Sequence, residues 1–294
     1  VDYDNDGRPD LFQDCCNFDG QGPSDLLKNM GGLKFKNVTK GSGLDDKPGA
    51  GTNNCWADYD LDGHADFVLN NMTGPTRLYR NKGDGTFEEV AAKAGIKTHG
   101  ISPSDGDKFK FGKVGALGCA FGDYDADGRP DLFTQGFGFK ALYHNNGDGT
   151  FKDVTAEAGL GQGKGRQGFY SFFFDYDNDG RLDLLAGQYV SIADEKFGFV
   201  PTCQCSNILT EAGVTEKENQ GASILYRNNG DGTFTDMSAK VPIIPFGLMG
   251  YAHADWNNDG WQDFALGAGG PYMQQAEPFL FYQNNKDGTF TNIT

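Results

Sequence analysis

The chain reads as all-β, a β-propeller of four-stranded antiparallel blades, and three observations in its 294 residues predict this. The pattern Asp-x-Asp-x-Asp-Gly-x-x-Asp occurs four times, and a fifth time with one Asp replaced by Asn. A second signal, Leu-Tyr-x-Asn followed by an Asp-Gly-Thr-Phe turn, trails the later copies. Short apolar runs of strand length separate the two signals. Gly is abundant at 44 residues and no apolar run approaches bilayer length, the composition expected of a soluble, turn-rich β-protein.

The acidic motifs begin at Asp2, Asp58, Asp123, Asp175 and Asp255. Calcium takes about six to eight oxygen ligands, and carboxylates spaced one residue apart can surround one ion where a Gly lets the backbone turn sharply. The first candidate set is Asp2, Asp4, Asp6 and Asp10 with the backbone carbonyl of Arg8. The same register gives Asp58, Asp60, Asp62 and Asp66 with His64, then Asp123, Asp125, Asp127 and Asp131 with Arg129. It continues with Asp175, Asp177, Asp179 and Asp183 with Arg181, and ends with Asp255, Asn257, Asp259 and Asp263 with Trp261. Up to five Ca2+ ions follow, the last loop binding weakest for want of one charge. An EF-hand opens similarly but needs an acidic twelfth residue and flanking helices. That position holds Gln13, Leu69, Thr134, Ala186 and Leu266, and the residues after each motif, such as Asp66-Phe67-Val68-Leu69, read as strands.

These loops explain the net charge of −16. Four loops with four Asp and one with three hold 19 of the 41 acidic residues. Five calcium ions would leave a formal charge of about −6. No basic run is present to neutralise phosphates, which argues against a nucleic-acid partner. Sites of this kind fill at millimolar calcium, so an extracellular or periplasmic setting is expected, with no membrane insertion. Six Cys suit that compartment. The sequons at Asn37, Asn71 and Asn292 would permit glycosylation there.

The second signal appears as Leu78-Tyr79-Arg80-Asn81, Leu142-Tyr143-His144-Asn145, Leu225-Tyr226-Arg227-Asn228 and Phe281-Tyr282-Gln283-Asn284. The turns that follow are Asp84-Gly85, Asp148-Gly149, Asp231-Gly232 and Asp287-Gly288, with Gly31-Gly32 in the first repeat. An Asp-Gly pair between apolar runs predicts a hairpin, because both central residues tolerate positive φ, so these Asp read as turn-formers, with metal ligation the lesser alternative. One unit is then strand, acidic loop, strand, connection, strand, Asp-Gly turn, strand. Blade boundaries are expected near 1–49, 50–112, 113–167, 168–246 and 247–294, in one domain. Blades must stack to bury both faces. The runs Ala120-Phe121 and Phe172-Phe173-Phe174 are the expected innermost strands.

Repeats of this form resemble the FG-GAP/VCBS repeats of integrin α chains, cartilage acidic protein and many bacterial secreted proteins. The resemblance covers nearly the whole chain and implies calcium between the first two strands of each blade, on the residues named above. It does not imply a single activity. Only Val1 precedes the first motif, so the first of five blades should lack its innermost strand. The missing strand has either been lost upstream with part of a longer propeller, or an upstream strand closes the ring.

In an antiparallel blade the acidic loops and Asp-Gly turns share one face, and the long excursions at 97–117 and 187–221 fall on the other. That insertion face is the expected binding surface for a glycan or protein. Cys15, Cys16, Cys55, Cys119, Cys203 and Cys205 should cluster towards it as disulfides, one option joining Cys203 or Cys205 to Cys15 or Cys16, with a zinc or copper thiolate site as the alternative. Phe137-Gly138-Phe139 and Tyr272-Met273 could supply a stacking surface. An enzyme acting on extracellular polysaccharide as lyase or hydrolase would draw on His99, Arg166 or Tyr189 on that face. A structural subunit making homotypic contacts is the third reading.

Overall fold

The computed structural model describes residues 1–14, 24–44, 51–71, 74–97, 115–136, 139–161, 166–191, 223–241, 243, 248–268 and 279–294. These residues form five antiparallel sheets. The first holds β1 (Leu11–Gln13), β2 (Asp25–Asn29) and β3 (Phe35–Asn37), and the second β4 (Gly51–Ala57), β5 (Asp66–Asn71), β6 (Arg77–Asn81) and β7 (Phe87–Glu89). The third holds β8 (Ala116–Gly122), β9 (Asp131–Gly136), β10 (Phe139–Asn145) and β11 (Phe151–Asp153). The fourth contains β12 (Arg166–Phe174), β13 (Asp183–Ser191), β14 (Ile224–Asn228) and β15 (Phe234–Asp236). The fifth contains β16 (Leu248–Ala254), β17 (Asp263–Ala268), β18 (Leu280–Asn284) and β19 (Phe290–Asn292). Strand order follows chain order in every sheet, so each is an up-and-down blade. The first has three strands and the other four have four each.

Of the second strands, β5 and β9 are the most completely buried, and each has a hydrogen-bonded neighbour on both edges. β5 is buried along its whole length. Asn71, the middle sequon residue, belongs to it and is 3% exposed, so this site is closed to glycosylation in the fold, whereas Asn37 and Asn292 are exposed.

The chain divides into two compact units. One is Val1–Phe121 with Gly128–Thr134 and Ala141–Val154; the other is Gly122–Asp127 with Gln135–Lys140 and Thr155–Thr294. In the first, Tyr3, Leu26, Leu44, Phe67, Tyr79 and Phe87 form one apolar cluster, and Val68, Leu78, Leu132, Tyr143 and Phe151 belong to a second. Trp56 stacks on Phe67, and Phe67 on Tyr79, with centroids 4.3 and 4.9 Å apart. In the second unit the corresponding core is Phe172, Phe174, Tyr176, Leu225, Phe264 and Tyr282.

The hairpin turns depart from the sequence expectation. Positive φ falls on the residues flanking each Asp, Gly83 and Gly85 in the second sheet and Lys286 and Gly288 in the fifth, while the Asp stays out of that region. The Asp instead accepts hydrogen bonds from the Thr two residues on. Asp84 Oδ1 receives the Thr86 amide at 3.0 Å and its hydroxyl at 2.5 Å, and Asp148, Asp231 and Asp287 do the same with Thr150, Thr233 and Thr289. Local side-chain bonding therefore shapes the turn in place of a two-residue positive-φ turn.

Candidate metal centre

In the four-stranded sheets each acidic loop joins the first two strands, at the end that also carries the Asp-Gly hairpin turn, and in the first sheet it leads into β1. Its local shape follows from its own carboxylates. The first Asp caps the loop: Oδ1 of Asp2, Asp58, Asp123, Asp175 and Asp255 accepts the amide of the fifth residue at 2.9–3.1 Å. Oδ2 accepts the Gly amide in the first, second, fourth and fifth loops, at 2.7–2.9 Å. The chain can double back this far because the fourth residue and the Gly both take positive φ. The fourth residue is Asn5, Leu61, Ala126, Asn178 or Asn258, with φ between 54° and 59°.

The last Asp anchors the loop to the sheet. Oδ1 of Asp10, Asp66, Asp131, Asp183 and Asp263 accepts the amide of a third-strand Asn at 2.7–2.8 Å. Oδ2 of Asp10, Asp66, Asp183 and Asp263 accepts the amide of the loop's second residue. Burial pushes the Asp66 and Asp183 carboxyls up to about 7, against the opposing pull of these amides. A bound cation would hold both in the ionised form.

Between these two lies the feature that points to an ion. In the first, second and fourth loops the third residue uses one carboxylate oxygen and leaves the other buried without a hydrogen-bond partner. The orphaned atoms are Oδ1 of Asp4, Asp60 and Asp177. Carboxylate oxygens of Asp2, Asp4 and Asp6 lie within 4.8 Å of one another, as do those of Asp58, Asp60 and Asp62 and those of Asp175, Asp177 and Asp183. A buried, unpaired anionic oxygen facing other carboxylates is costly unless a cation joins them. The donor set is entirely hard oxygen, which suits calcium. In the fifth loop Asn257 is spent internally, its Nδ2 donating to Asp259 Oδ2 and its Oδ1 accepting the Asp259 amide, both at 3.0 Å.

Basic side chains that the sequence reading missed hold the other oxygen. Arg80 donates from Nε to Asp60 Oδ2 at 2.6 Å and from Nη2 to Asp62 at 3.1 Å. Arg227 makes the same pair with Asp177 and Asp179, at 2.6 and 3.2 Å, and Lys28 with Asp4 and Asp6. The Asp60 and Asp177 contacts raise the two guanidinium pKa values. Asp6, although burial works against it, is drawn below the usual carboxylate range by the Lys28 hydrogen bond. The signal was present, because these residues all precede the third-strand Asn. At that place in the third repeat stands His144, its Nδ1 3.4 Å from Asp131 Oδ1.

The seventh residue, predicted only through its carbonyl, ties the loop to the neighbouring turn. Nε of Arg8, Arg129 and Arg181 donates to the carbonyl of Asn29, Asn145 and Asn228 at 2.9–3.3 Å. His64 packs over Gly83, leaving no room for a Cβ there.

Two cysteines are joined: Cys55 of β4 forms a disulfide with Cys119 of β8, their Cα atoms 6.0 Å apart. Cys15, Cys16, Cys203 and Cys205 lie outside the described residues, as do His99, Phe137, Gly138, Tyr272, Met273 and most of both long excursions. Arg166 and Tyr189 lie on β12 and β13, but their side chains are not among those described. His253 is accounted for by packing, stacked on Phe172 with centroids 5.0 Å apart and 2.8 Å from Gln262 Oε1. Among the described residues no helix is long and apolar enough to cross a membrane.

A family model described as FG-GAP-like repeat matches residues 58–134, 123–186 and 212–266. The chain belongs to this family. It is similar to cartilage acidic protein 1 of Mus musculus and of Homo sapiens, at 26% identity over 77% of this chain. The alignments cover 36% and 35% of those proteins, so this FG-GAP chain spans about a third of the curated relatives it matches. Among solved structures, a lectin of Agrocybe aegerita described as recognising non-reducing terminal N-acetylglucosamine aligns over 96% of this chain and 78% of its own. Its identity is 16% and the TM-score 0.36. A Trypanosoma rangeli sialidase in complex with the inhibitor DANA aligns over 88% and 39%, at 12% identity and TM-score 0.37. Likeness this low carries no argument about ligands.

Proposed function

We propose that this FG-GAP chain is a secreted, calcium-stabilised β-propeller that acts as a binding, adhesion or assembly module, recognising a glycan or a protein through the face opposite its acidic loops. The observation that carries the calcium half is the orphaned Oδ1 of Asp4, Asp60 and Asp177 inside three converging carboxylate groups. Those residues would hold the ion with the last Asp of each loop and the seventh-residue carbonyl. The ion supplies charge neutralisation and a pinned turn. The Cys55–Cys119 disulfide is consistent with a secreted protein. The recognition half is supported by the division of labour in the repeat. The ends of the sheets bearing acidic loops and Asp-Gly turns are committed to repeated local bonding, so variation in length is left to the other ends.

Two measurements test this reading. Calorimetric titration of chelator-treated protein with calcium chloride should show several ions bound and a melting temperature raised by roughly 10 °C. No heat and an unchanged melting temperature would sink the calcium premise. A glycan array, with a panel of extracellular proteins, should then give a ligand whose binding is lost on substitutions within 98–114 or 192–222. Binding lost instead by substitution of exposed acidic-loop residues, with calcium affinity intact, would move the recognition surface.

A further inference from the structure

Consecutive acidic loops are physically joined, and not all of them equally. One link recurs at four junctions. The third-strand Asn whose amide binds its own loop's last Asp also sends its side chain to the preceding loop, reaching the carbonyl of that loop's second residue. Asn81 Nδ2 donates to Tyr3, Asn145 to Tyr59, Asn228 to Tyr124 and Asn284 to Tyr176, all at 2.7–2.8 Å. The four Asn are at most 2% exposed.

Among the described residues, a second link is present at two junctions. Asn5, between ligands Asp4 and Asp6, donates from Nδ2 to the Gly63 carbonyl of the next loop at 2.8 Å. Asn178, between Asp177 and Asp179, donates to the Gly260 carbonyl of the fifth loop, also at 2.8 Å. The second and third loops carry Leu61 and Ala126 at this place, which have no donor, yet adopt the same positive φ. The backbone therefore does not require Asn there, and the cross-loop bond is a separate property of the first and fourth loops.

We propose, building on the calcium reading, that these loops take up cations as coupled pairs, the first with the second and the fourth with the fifth, with Asn5 and Asn178 as the positioning residues. A cation that gathers Asp177 and Asp179 fixes Asn178 between them. Asn178 in turn holds the Gly260 peptide, flanked by the fifth loop's ligands Asp259 and Trp261. The ordering cost of the second loop is thus partly met by the first binding event, which is positive cooperativity without a large movement. The fifth loop, whose Asn257 is occupied internally, depends most on its neighbour.

The tryptophans allow a test. Of the three, Trp256 and Trp261 lie in the fifth loop and Trp56 stands just before the second. In a Trp56→Phe background, tryptophan-sensitised luminescence of added terbium reports on the fifth loop. The expected result is that Asp177→Asn, which weakens cation binding at the fourth loop, also weakens terbium binding at the fifth, by roughly 5-fold or more. Asn178→Ala, the residue the third loop carries, should reproduce most of that loss, and the two changes together should not add. Asp60→Asn, in the other pair, should leave the fifth loop unaffected. Circular dichroism at saturating calcium verifies that each variant is folded, and Asn178→Gly serves if the alanine variant is not. An unchanged terbium affinity of the fifth loop in Asp177→Asn or in the Asn178 variant would overturn the pairing while leaving the calcium reading intact. Absence of any terbium or calcium binding would overturn both.

Discussion

Two Asp-Gly turns stand at the same end of each four-stranded sheet, and they spend their carboxylates in opposite ways. In the hairpin turn, Asp84 faces a threonine that supplies an amide and a hydroxyl, so its charge is satisfied locally. Those bonds, the threonine hydroxyl first, draw Asp84, Asp148 and Asp231 below the usual carboxylate range, and Asp287 behaves alike. In the acidic loop no threonine is available. Backbone amides occupy the first and last Asp, a basic side chain takes half of the third, and one buried oxygen is left over. Asp-Gly is therefore not in itself a metal signal; the supply of nearby donors decides whether the turn is complete alone or needs an ion.

Breaking the contrast at its strongest point means removing the anchoring Asp. Asp66→Ala leaves the Tyr59 and Asn81 amides buried without an acceptor, an expected loss of about 2–4 kcal/mol in denaturant unfolding. Asp84→Ala exposes its former partners to water and should fall well short of that. The next effect is on pH. Burial places Asp66 and Asp183 at about 7 in the metal-free fold, against an ordinary value of 3.8. For an acid raised in this way, the favourable contribution is complete below the ordinary value and is lost as pH rises through 7. Calcium needs the ionised form, so the gain in melting temperature on adding calcium should be greatest above pH 7 and shrink as pH falls from 7 towards 4. A calcium increment that grows with acidification would contradict the burial argument.

Smaller effects sharpen the comparison. Asp60→Asn keeps the shape but removes the charge beside the orphaned oxygen, and should weaken calcium binding at one site by roughly 10-fold in calorimetry. Asp148→Asn should leave every site unchanged. Thr86→Val should give the smallest shift, and one that disappears at acid pH. A lowered carboxyl stabilises above its ordinary pKa and loses that stabilisation as pH falls through the folded value. The variant and parent melting curves should therefore differ above about pH 4 and converge below it.

Much of this was readable without the fold because it is local. The spacing of Asp and Gly in each loop dictates a tight turn, and strand alternation with turn chemistry dictates the sheets. What escaped was set by residues far apart in the chain. Arg80 and Arg227 read as strand residues, and only the antiparallel register swings them over Asp60 and Asp177. Asn71 satisfied a sequon rule but lies in a buried second strand. The pairing of Cys55 with Cys119 needed their strands to be adjacent, which no count of cysteines supplies.

The sequence by itself determined the repeat, the loop positions and the hard-oxygen chemistry, because each depends on contacts within about a dozen residues. Tertiary structure decided which oxygens remain unpaired, which basic side chains attend them, and which loops are bonded to the next. Those properties depend on donors brought from other strands and other repeats, where local spacing has no reach.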